Sequence, residues 1–492
     1  MAKNKNVAVQ WFGIIGGVLA LILFLSFVNF APEHYNAKIV ASIAILMAVW
    51  WITEAVPLSI TSLVPLVLFP LFGVVSGAKT ADAYMNSTIF LFMGGFIIAI
   101  AMEKWNLHKR IALNVIGLAG KKASSIVLGF MIAAAFISMW ISNTATAVMV
   151  LPIGMAIIYK LEEEFGKEKT KKFSLALMLG IAYSCSIGGI ATLIGTPPNL
   201  VFLRVYKISF PHNPEILFGD WMKFAVPIAV VMLAFVWVLL TKILYRSDKE
   251  FTVDGQIIHE EKKKLGKISF EEKAVLIVFI ATSLLWIFRV QLDLGFTTIP
   301  GWSALFPNMN FIDDGTVAIT MAVLLFIIPT RSESIKGNFL LDQTAIKKIP
   351  WDIILLFGGG FALAEGFVTS GLSEMIGRQF TALKGVNIIF IIAAICTVIT
   401  YLTELTSNTA TAQIVLPILA SLAGELQLNP LLVMIPATIS ASFAFMLPVG
   451  TTPNAIVFSS ERLRIVDMAK SGMLINVFGI IVVTFFVYLF FA

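Results

Sequence analysis

Residues 142–153 read SNTATAVMVLPI, and residues 407–418 read SNTATAQIVLPI. A second pair, LFMGGFIIA at 91–99 and LFGGGFALA at 356–364, is separated by the same 265 residues. Two motifs that recur in the same order at one offset are hard to produce by chance. They predict that the chain consists of two related halves.

The composition places both halves in a membrane. Apolar residues make up 58% of the 492-residue chain and charged residues only 13%, against about a quarter in ordinary soluble domains. Apolar runs of about 17 to 25 residues, long enough to span a bilayer, recur along nearly the whole sequence. We predict an all-α polytopic membrane protein with about eleven transmembrane helices and two re-entrant helical hairpins. A water-soluble fold is excluded.

A third repeated motif helps to define the boundaries of the halves. GTPPN at 195–199 and GTTPN at 450–454 recur at an offset of 255 residues, as expected if a loop between motifs differs in length. The longest polar interruption, at 245–273, separates the two sets of motifs. We predict a single domain with these parts: a first repeat at 37–244, a cytoplasmic linker at 245–271 and a second repeat at 272–492.

The basic residues predict the orientation in the membrane. Cytoplasmic loops of membrane proteins carry an excess of Lys and Arg. The basic clusters lie at 160–172, 242–273, 331–348 and 462–470, with Lys3 and Lys5 near the N-terminus. We therefore expect a cytoplasmic N-terminus, an extracytoplasmic C-terminus and an inverted repeat. The net charge of +6 reflects this orientation and does not indicate a nucleic-acid partner.

Ser-Asn-Thr at 142–144 and again at 407–409 places three consecutive polar side chains inside apolar sequence. An unsatisfied polar group in lipid costs several kcal/mol. Consecutive residues point in different directions on a helix, so one helix face cannot hide all three. The motif predicts a broken helix or hairpin tip that faces a cavity. The alternative is hydrogen bonding between packed helices, which Ser, Thr and Asn also provide in membranes.

The third motif also interrupts a helix. Pro197 and Pro198 remove two backbone donors, and Gly195 permits unusual dihedral angles. Carbonyl groups freed in such a segment can coordinate a cation, and the N-terminus of the next half-helix can receive an anion. The alternative is a simple kink.

Other residues carry weaker signals. The GGF elements at Gly94 and Gly359 are typical of close helix packing. Intramembrane carboxylates are functional candidates, but none is duplicated here, so we expect them to cap helices or pair with Lys. These carboxylates are Glu54, Glu103, Glu365 and Glu404. No HExxH, Walker or GxSxG pattern occurs, so the sequence predicts no enzyme, no metal catalysis and no ATP-driven pump.

Taken together, these motifs closely resemble those of the divalent-anion/sodium symporter family, whose members carry dicarboxylates, citrate or sulfate. The resemblance extends from Thr53-Glu54-Ala55 to Val457, nearly the whole chain. The family signature near the C-terminus is matched by Ala441-Ser442, Phe445, Pro448-Val449-Gly450, Asn454, Ile456 and Val457.

The resemblance implies a homodimer with an elevator-type transport part, and it implies roles for particular residues. The implied substrate-binding residues are Ser142, Asn143, Thr144, Thr196, Ser407, Asn408, Thr409 and Thr451. The first implied sodium site comprises Ser138, Ser142, Asn143 and Gly195, and the second comprises Thr403, Asn408 and Gly450. One departure is Thr452, which stands where many members have proline.

The expected function is secondary active transport of small divalent organic anions across the plasma membrane by sodium symport. The expected substrates are C4 and C5 dicarboxylates such as succinate, malate, fumarate and 2-oxoglutarate. The expected partners are the dicarboxylate, membrane lipid and a second copy of the chain, with Na+ as coupling ion and no cofactor. A sodium-independent dicarboxylate exchanger of the same family is an alternative. An anion channel is an alternative of a different class.

Overall fold

The computed structural model describes residues 7–246, 256–293, 298–331 and 338–492. These residues are almost entirely helical, as the apolar composition predicts. The β-structure of the described residues is an antiparallel pair of two-residue strands, β1 (Leu292–Asp293) and β2 (Thr298–Ile299), and an isolated bridge between Pro329 and Phe339. Lys3, Lys5 and residues 247–255 of the predicted linker lie outside the described residues.

The helices follow one another with short connections. Up to the linker they are α1 (Val7–Phe27), α2 (Tyr35–Thr53), α3 (Leu58–Thr61), α4 (Val64–Leu71), α5 (Gly77–Asp82), α6 (Ser87–Lys104), α7 (Leu107–Gly117), α8 (Ala123–Ser138), α9 (Asn143–Phe165), α10 (Lys167–Gly189), α11 (Pro197–Ser209) and α12 (Phe218–Val238), which continues as a π-helix over Leu239–Leu244. From the linker onward they are α13 (Gln256–Leu265), α14 (Phe270–Ile287), α15 (Asp314–Ile327), α16 (Thr344–Lys347), α17 (Trp351–Thr369), α18 (Leu372–Gln379), α19 (Ile388–Thr403), α20 (Asn408–Leu426), α21 (Leu431–Ser440), α22 (Thr452–Phe458) and α23 (Ile465–Phe491). Short 3-10 helices lie at Pro32–His34, Trp302–Leu305, Met309–Phe311 and Phe380–Leu383.

Nine helices in the described ranges are long and apolar enough to cross a membrane. The number is ten if the bent pair Leu372–Leu383 and Ile388–Thr403 counts as one span. The sequence predicts about eleven spans. Four further apolar helices of the described residues are shorter than a full span. These are Leu58–Leu71, Ala123–Ser138, Asp314–Ile327 and Leu431–Ser440.

Both Ser-Asn-Thr motifs lie at the junction of two helices that contact each other. In the first half α8 ends at Ser138 and α9 begins at Asn143. In the second half α19 ends at Thr403 and α20 begins at Asn408. The motif therefore lies where one helix ends and the next begins, at the same position in each half. It does not form part of a continuous helix face.

The GGF elements pack closely against neighbouring chain, as the sequence predicts. A Cβ atom added to Gly94 of α6 would lie 2.5 Å from the backbone of Ala318 in α15. A Cβ atom added to Gly359 of α17 would lie 2.5 Å from the carbonyl oxygen of Ser62. Glycine is required at these positions because the helices approach too closely for any larger side chain.

A buried ion pair fixes the N-terminus of α15. Arg289, which follows α14, donates from Nε to Asp314 Oδ1 at 2.7 Å, and both side chains are less than one-tenth exposed. Asp314 Oδ2 also accepts from the backbone N–H of Phe218, the first residue of α12. Three helices are therefore joined at one point by charge-assisted hydrogen bonds.

Candidate functional site

The repeated motifs of both halves line a single cavity of about 610 Å³. All eight predicted substrate-binding residues are among its lining residues. The helices α2, α3, α6 and α17 contribute mostly apolar side chains, and Glu54, one of the predicted candidate carboxylates, also lines the cavity. The lining residues are Ile52, Thr53, Glu54, Leu58, Phe92, Phe96, Ser142, Asn143, Thr144, Ile194, Gly195, Thr196, Pro197, Ile353, Leu405, Thr406, Ser407, Asn408, Thr409, Val449, Gly450, Thr451, Thr452 and Pro453.

Helix N-termini converge on this cavity. The helices α9, α11 and α20 begin at Asn143, Pro197 and Asn408, all of which line it. The N-terminus of a helix carries the equivalent of roughly half a positive charge. Among these lining residues there is no Lys, Arg or His. Among the lining residues, compensation for an anion can therefore come only from backbone dipoles and neutral hydrogen-bond donors.

The two asparagines are held in matching ways. The Ser138 hydroxyl donates to Asn143 Oδ1, and the Thr403 hydroxyl donates to Asn408 Oδ1 at 2.7 Å. Ser138 and Thr403 are fully buried behind the cavity and do not line it. An amide oxygen has a second lone pair, and the amide nitrogen has two N–H donors. Each asparagine can therefore accept a hydrogen bond from the buried hydroxyl group and still bind a ligand in the cavity.

Another matched pair of asparagines stabilises the unwound segments before α11 and α22, where the third motif lies. Asn199 donates from Nδ2 to the Thr192 carbonyl oxygen at 2.7 Å. Asn454 donates from Nδ2 to the Leu447 carbonyl oxygen at 3.0 Å. Both asparagines are fully buried. They satisfy carbonyl groups that the unwound segments leave without helical partners, which explains why each motif ends in asparagine.

Two oxygen atoms of the predicted first sodium site face Gly189. A Cβ atom built at Gly189 would lie 2.7 Å from Asn143 Oδ1, 3.1 Å from Asn143 Nδ2 and 3.1 Å from the Gly195 carbonyl oxygen. These two oxygen atoms therefore face the same small space, which any side chain at position 189 would fill. Ala444 stands at the corresponding position of the second half, 255 residues later.

Thr452 does not prevent the interruption of the helix before α22 in the second half. The helix α22 begins at Thr452, with Pro453 as its next residue. The first N–H of a helix has no intrahelical partner, so proline is favoured at this position but not required. The geometry of the break therefore survives the departure from the family pattern.

Sequence reasoning assigned two features of this region to other roles. Phe92 and Phe96 form an aromatic wall with ring centroids 4.4 Å apart. They belong to the repeated LFMGGFIIA motif, for which the sequence predicted only close helix packing. Glu404, which the sequence predicted to cap a helix or pair with a Lys, instead accepts hydrogen bonds from the unwound segment beside Gly450. Comparison with the aligned residue Met139 could have singled it out. As predicted for the group, Glu365 pairs with a lysine, Lys79, at 3.1 Å.

Multiple apolar spans around a polar cavity lined by interrupted helices define a multi-pass membrane transporter. Residues 14–492 match the family described as the sodium:sulfate symporter transmembrane region. The chain belongs to the divalent-anion/sodium symporter family, as its motifs predict, and it is a transporter and not an enzyme.

Two curated relatives cover nearly the full length, and both are called sodium-dependent dicarboxylate transporter SdcS. The protein from Staphylococcus saprophyticus is 42% identical over 494 residues, covering 99% of this chain and 93% of the relative. The protein from Staphylococcus aureus is 42% identical over 491 residues, covering 99% and 92%.

Two solved structures share the fold at low sequence identity. The Alcanivorax borkumensis YdaH transporter aligns with a TM-score of 0.57 and 11% identity, covering 86% of this chain and 88% of that one. Neisseria gonorrhoeae MtrF aligns with a TM-score of 0.56 and 12% identity, covering 100% and 96%. This similarity concerns the fold alone.

Proposed function

We propose that this chain is a secondary active transporter of C4 and C5 dicarboxylates, driven by sodium symport across the plasma membrane. Succinate, malate, fumarate and 2-oxoglutarate are the proposed substrates. One observation carries the proposal: both Ser-Asn-Thr motifs and both interrupted helices line one cavity that has no basic side chain. The relatives called sodium-dependent dicarboxylate transporter support the choice of ion and substrate.

In this proposal each half of the site binds one carboxylate. The donors are the amide of Asn143 with the Thr144 hydroxyl, and the amide of Asn408 with the Thr409 hydroxyl. The hydroxyls of Ser142, Ser407, Thr196 and Thr451 complete the substrate site. The N-termini of the three longer helices, α9, α11 and α20, provide the equivalent of about one and a half positive charges. The seven-residue α22 also begins at the cavity, and the carboxylate residue Glu54 lines it. Because a dianion carries two negative charges, the remaining compensation comes from the coupling ions.

The residues proposed for sodium provide the oxygen ligands that hard cations prefer. In the first site, Asn143 Oδ1 and the Gly195 carbonyl oxygen face the same space, as measured from Gly189. Ser138 and Ser142 add hydroxyl oxygens to this site. The second site comprises Thr403, Asn408 and Gly450, and Thr403 is already within hydrogen-bonding distance of Asn408.

The cavity lies between the end of α2 and the beginning of α17. The distribution of basic loops predicts that both of these helix ends face the cytoplasm. The lining of the cavity includes Thr53 at the end of α2 and Ile353 near the beginning of α17. We therefore propose that the structure is open to the cytoplasm. The proposal also includes about eleven spans, re-entrant hairpins at α8–α9 and α19–α20, a homodimer and elevator-type movement. The N-terminus would be cytoplasmic and the C-terminus extracytoplasmic.

Uptake of labelled succinate into proteoliposomes tests the proposed function. With an inward sodium gradient we expect saturable uptake, at least several times faster than with choline in place of sodium, and no requirement for internal dicarboxylate. Uptake that ignores sodium but requires internal dicarboxylate would identify an exchanger instead. A flux that does not saturate and shows no counterflow would identify an anion channel.

A further inference from the structure

The two halves of the site differ by one buried charge. Glu404 follows α19 and is only 4% exposed. The corresponding residue of the first half, 265 positions earlier, is Met139. A charged side chain within a membrane protein is costly, so its position relative to the site is informative.

The carboxylate of Glu404 is bound by four N–H donors. Oε1 accepts from the backbone N–H groups of Phe445 and Met446, each at 2.8 Å, and from Asn476 Nδ2 at 2.8 Å. Oε2 accepts from the backbone N–H of Leu447 at 3.1 Å. An ionised carboxylate is an acceptor only, and four donors match its charged form. Glu404 therefore holds the unwound segment that leads to Gly450.

The first half holds its unwound segment without a charge. The Thr192 hydroxyl donates to the Met139 carbonyl oxygen and accepts from the backbone N–H of Gly195 at 3.1 Å. In the second half the position of Thr192 is taken by Leu447, which has no hydroxyl group. One half thus uses a neutral hydroxyl where the other uses a carboxylate.

The carboxylate also lies next to the proposed second cation site. A Cβ atom built at Gly450 would be 3.1 Å from Glu404 Oε2, and Oε2 accepts only one hydrogen bond from the described residues. No ion pair to Glu404 exists within the described part of the chain, and no Lys or Arg occurs between Lys384 and Arg462. A buried carboxylate without a cationic side chain attracts a free cation strongly.

We propose that Glu404 is a positioning residue that also supplies a fixed negative charge to the sodium ion at Thr403, Asn408 and Gly450. The inference rests on the proposed sodium symport. It predicts that the two sodium sites are unequal. The second site binds sodium more tightly because it is anionic, and the first site, formed by neutral groups, fills at higher sodium concentration.

Two variants remove the charge in different ways. Glu404→Gln keeps the size of the side chain. The double variant Glu404→Met with Leu447→Thr transfers the neutral arrangement of the first half into the second half. The new threonine hydroxyl should then hold the unwound segment by hydrogen bonds, as Thr192 does in the first half, while the charge is absent. Glu365→Gln is the matched control, because Glu365 is also a carboxylate in an apolar span but pairs with Lys79 away from the cavity.

The test is the melting temperature of the purified protein as a function of sodium concentration, without dicarboxylate. We expect the sodium concentration for half-maximal stabilisation to rise at least tenfold in both charge-free proteins and to stay unchanged in Glu365→Gln. In uptake assays at saturating sodium, the KM for succinate should change less than about threefold.

A sodium midpoint equal to wild type in the folded double variant would overturn the inference and leave sodium symport intact. A loss of uptake with an unchanged sodium midpoint would likewise assign Glu404 a structural role only. If the wild-type protein itself shows no sodium response in melting or in uptake, the proposed function fails and the inference fails with it.

Discussion

The Thr403 hydroxyl donates a 2.7 Å hydrogen bond to Oδ1 of Asn408, the residue at which α20 begins. Ser138 and Asn143 have the same relationship in the first half. In both cases a fully buried hydroxyl orients an amide at a helix N-terminus. The two halves therefore present one amide each to the same cavity.

Asn143→Ala and Asn408→Ala should each abolish transport while the protein remains folded. Each substitution removes an amide that we propose to bind substrate and cation, and a hydrogen bond to a charged group is worth about 1.5 to 3 kcal/mol. We expect succinate uptake below about a tenth of wild type, with a size-exclusion profile like that of wild type. The control is Asn429→Ala, because Asn429 is exposed, lies outside the cavity lining and bonds to the backbone of Leu431 and Phe491. Near-normal uptake in either variant would remove these residues from the site, and loss of the folded protein would favour a packing role.

Thr452→Pro should be tolerated, whereas Pro197→Thr should impair transport more. Thr452 is the first residue of α22, where the N–H has no helical partner and proline fits. Pro197 belongs to the Pro pair that keeps the first break open. Initial rates of uptake at saturating sodium measure the difference. Equal losses in the two variants would show that Thr452 is no functional departure from the motif.

The sequence was most informative where a motif is repeated. Asn143 and Asn408 could be singled out because their neighbours recur at one offset, and repetition in an apolar context has few structural explanations. Composition alone predicted a helical membrane protein. The number of spans was harder to predict, because a short apolar run such as Leu431–Ser440 can form a half-span or a hairpin arm with the same composition.

The two features that sequence reasoning assigned to other roles depend on three-dimensional contacts. Glu404 has no copy in the first half, so the search for repeated residues did not select it. Its partners Phe445 and Asn476 are 41 and 72 residues away. The aromatic wall at Phe92 is equally non-local, since the Phe92 ring packs edge-on against the ring of Phe357, 265 residues away.

Asp314→Ala should destabilise the fold strongly. It leaves Arg289 buried without its closest carboxylate, and breaking a buried ion pair costs about 3 to 5 kcal/mol. The matched control is Asp313→Ala, which removes an N-terminal cap of the same helix and should cost about 1 kcal/mol. Thermal unfolding of the purified variants gives the comparison. If both substitutions lower the melting temperature equally, the Arg289–Asp314 pair does not stabilise this junction.

A cysteine at position 353 should report which side of the membrane the cavity faces. Ile353 lines the cavity, and the native Cys185 and Cys396 are fully buried, so the wild-type protein provides an unreactive background. We expect Ile353→Cys to react with a membrane-impermeant maleimide in inside-out vesicles, and succinate with sodium to slow the reaction. Labelling that occurs only in right-side-out vesicles would reverse the proposed orientation.

The coupling between sodium and dicarboxylate tests the central claim most directly. An anion site without a basic side chain needs cations, so sodium should raise the affinity for succinate, and succinate should raise the affinity for sodium by the same factor. Equilibrium binding of labelled succinate to the purified protein, in sodium and in choline, measures this factor. We predict an increase of about 5- to 150-fold in sodium, the usual range of such coupling. Equal succinate affinity in sodium and in choline would contradict the claim.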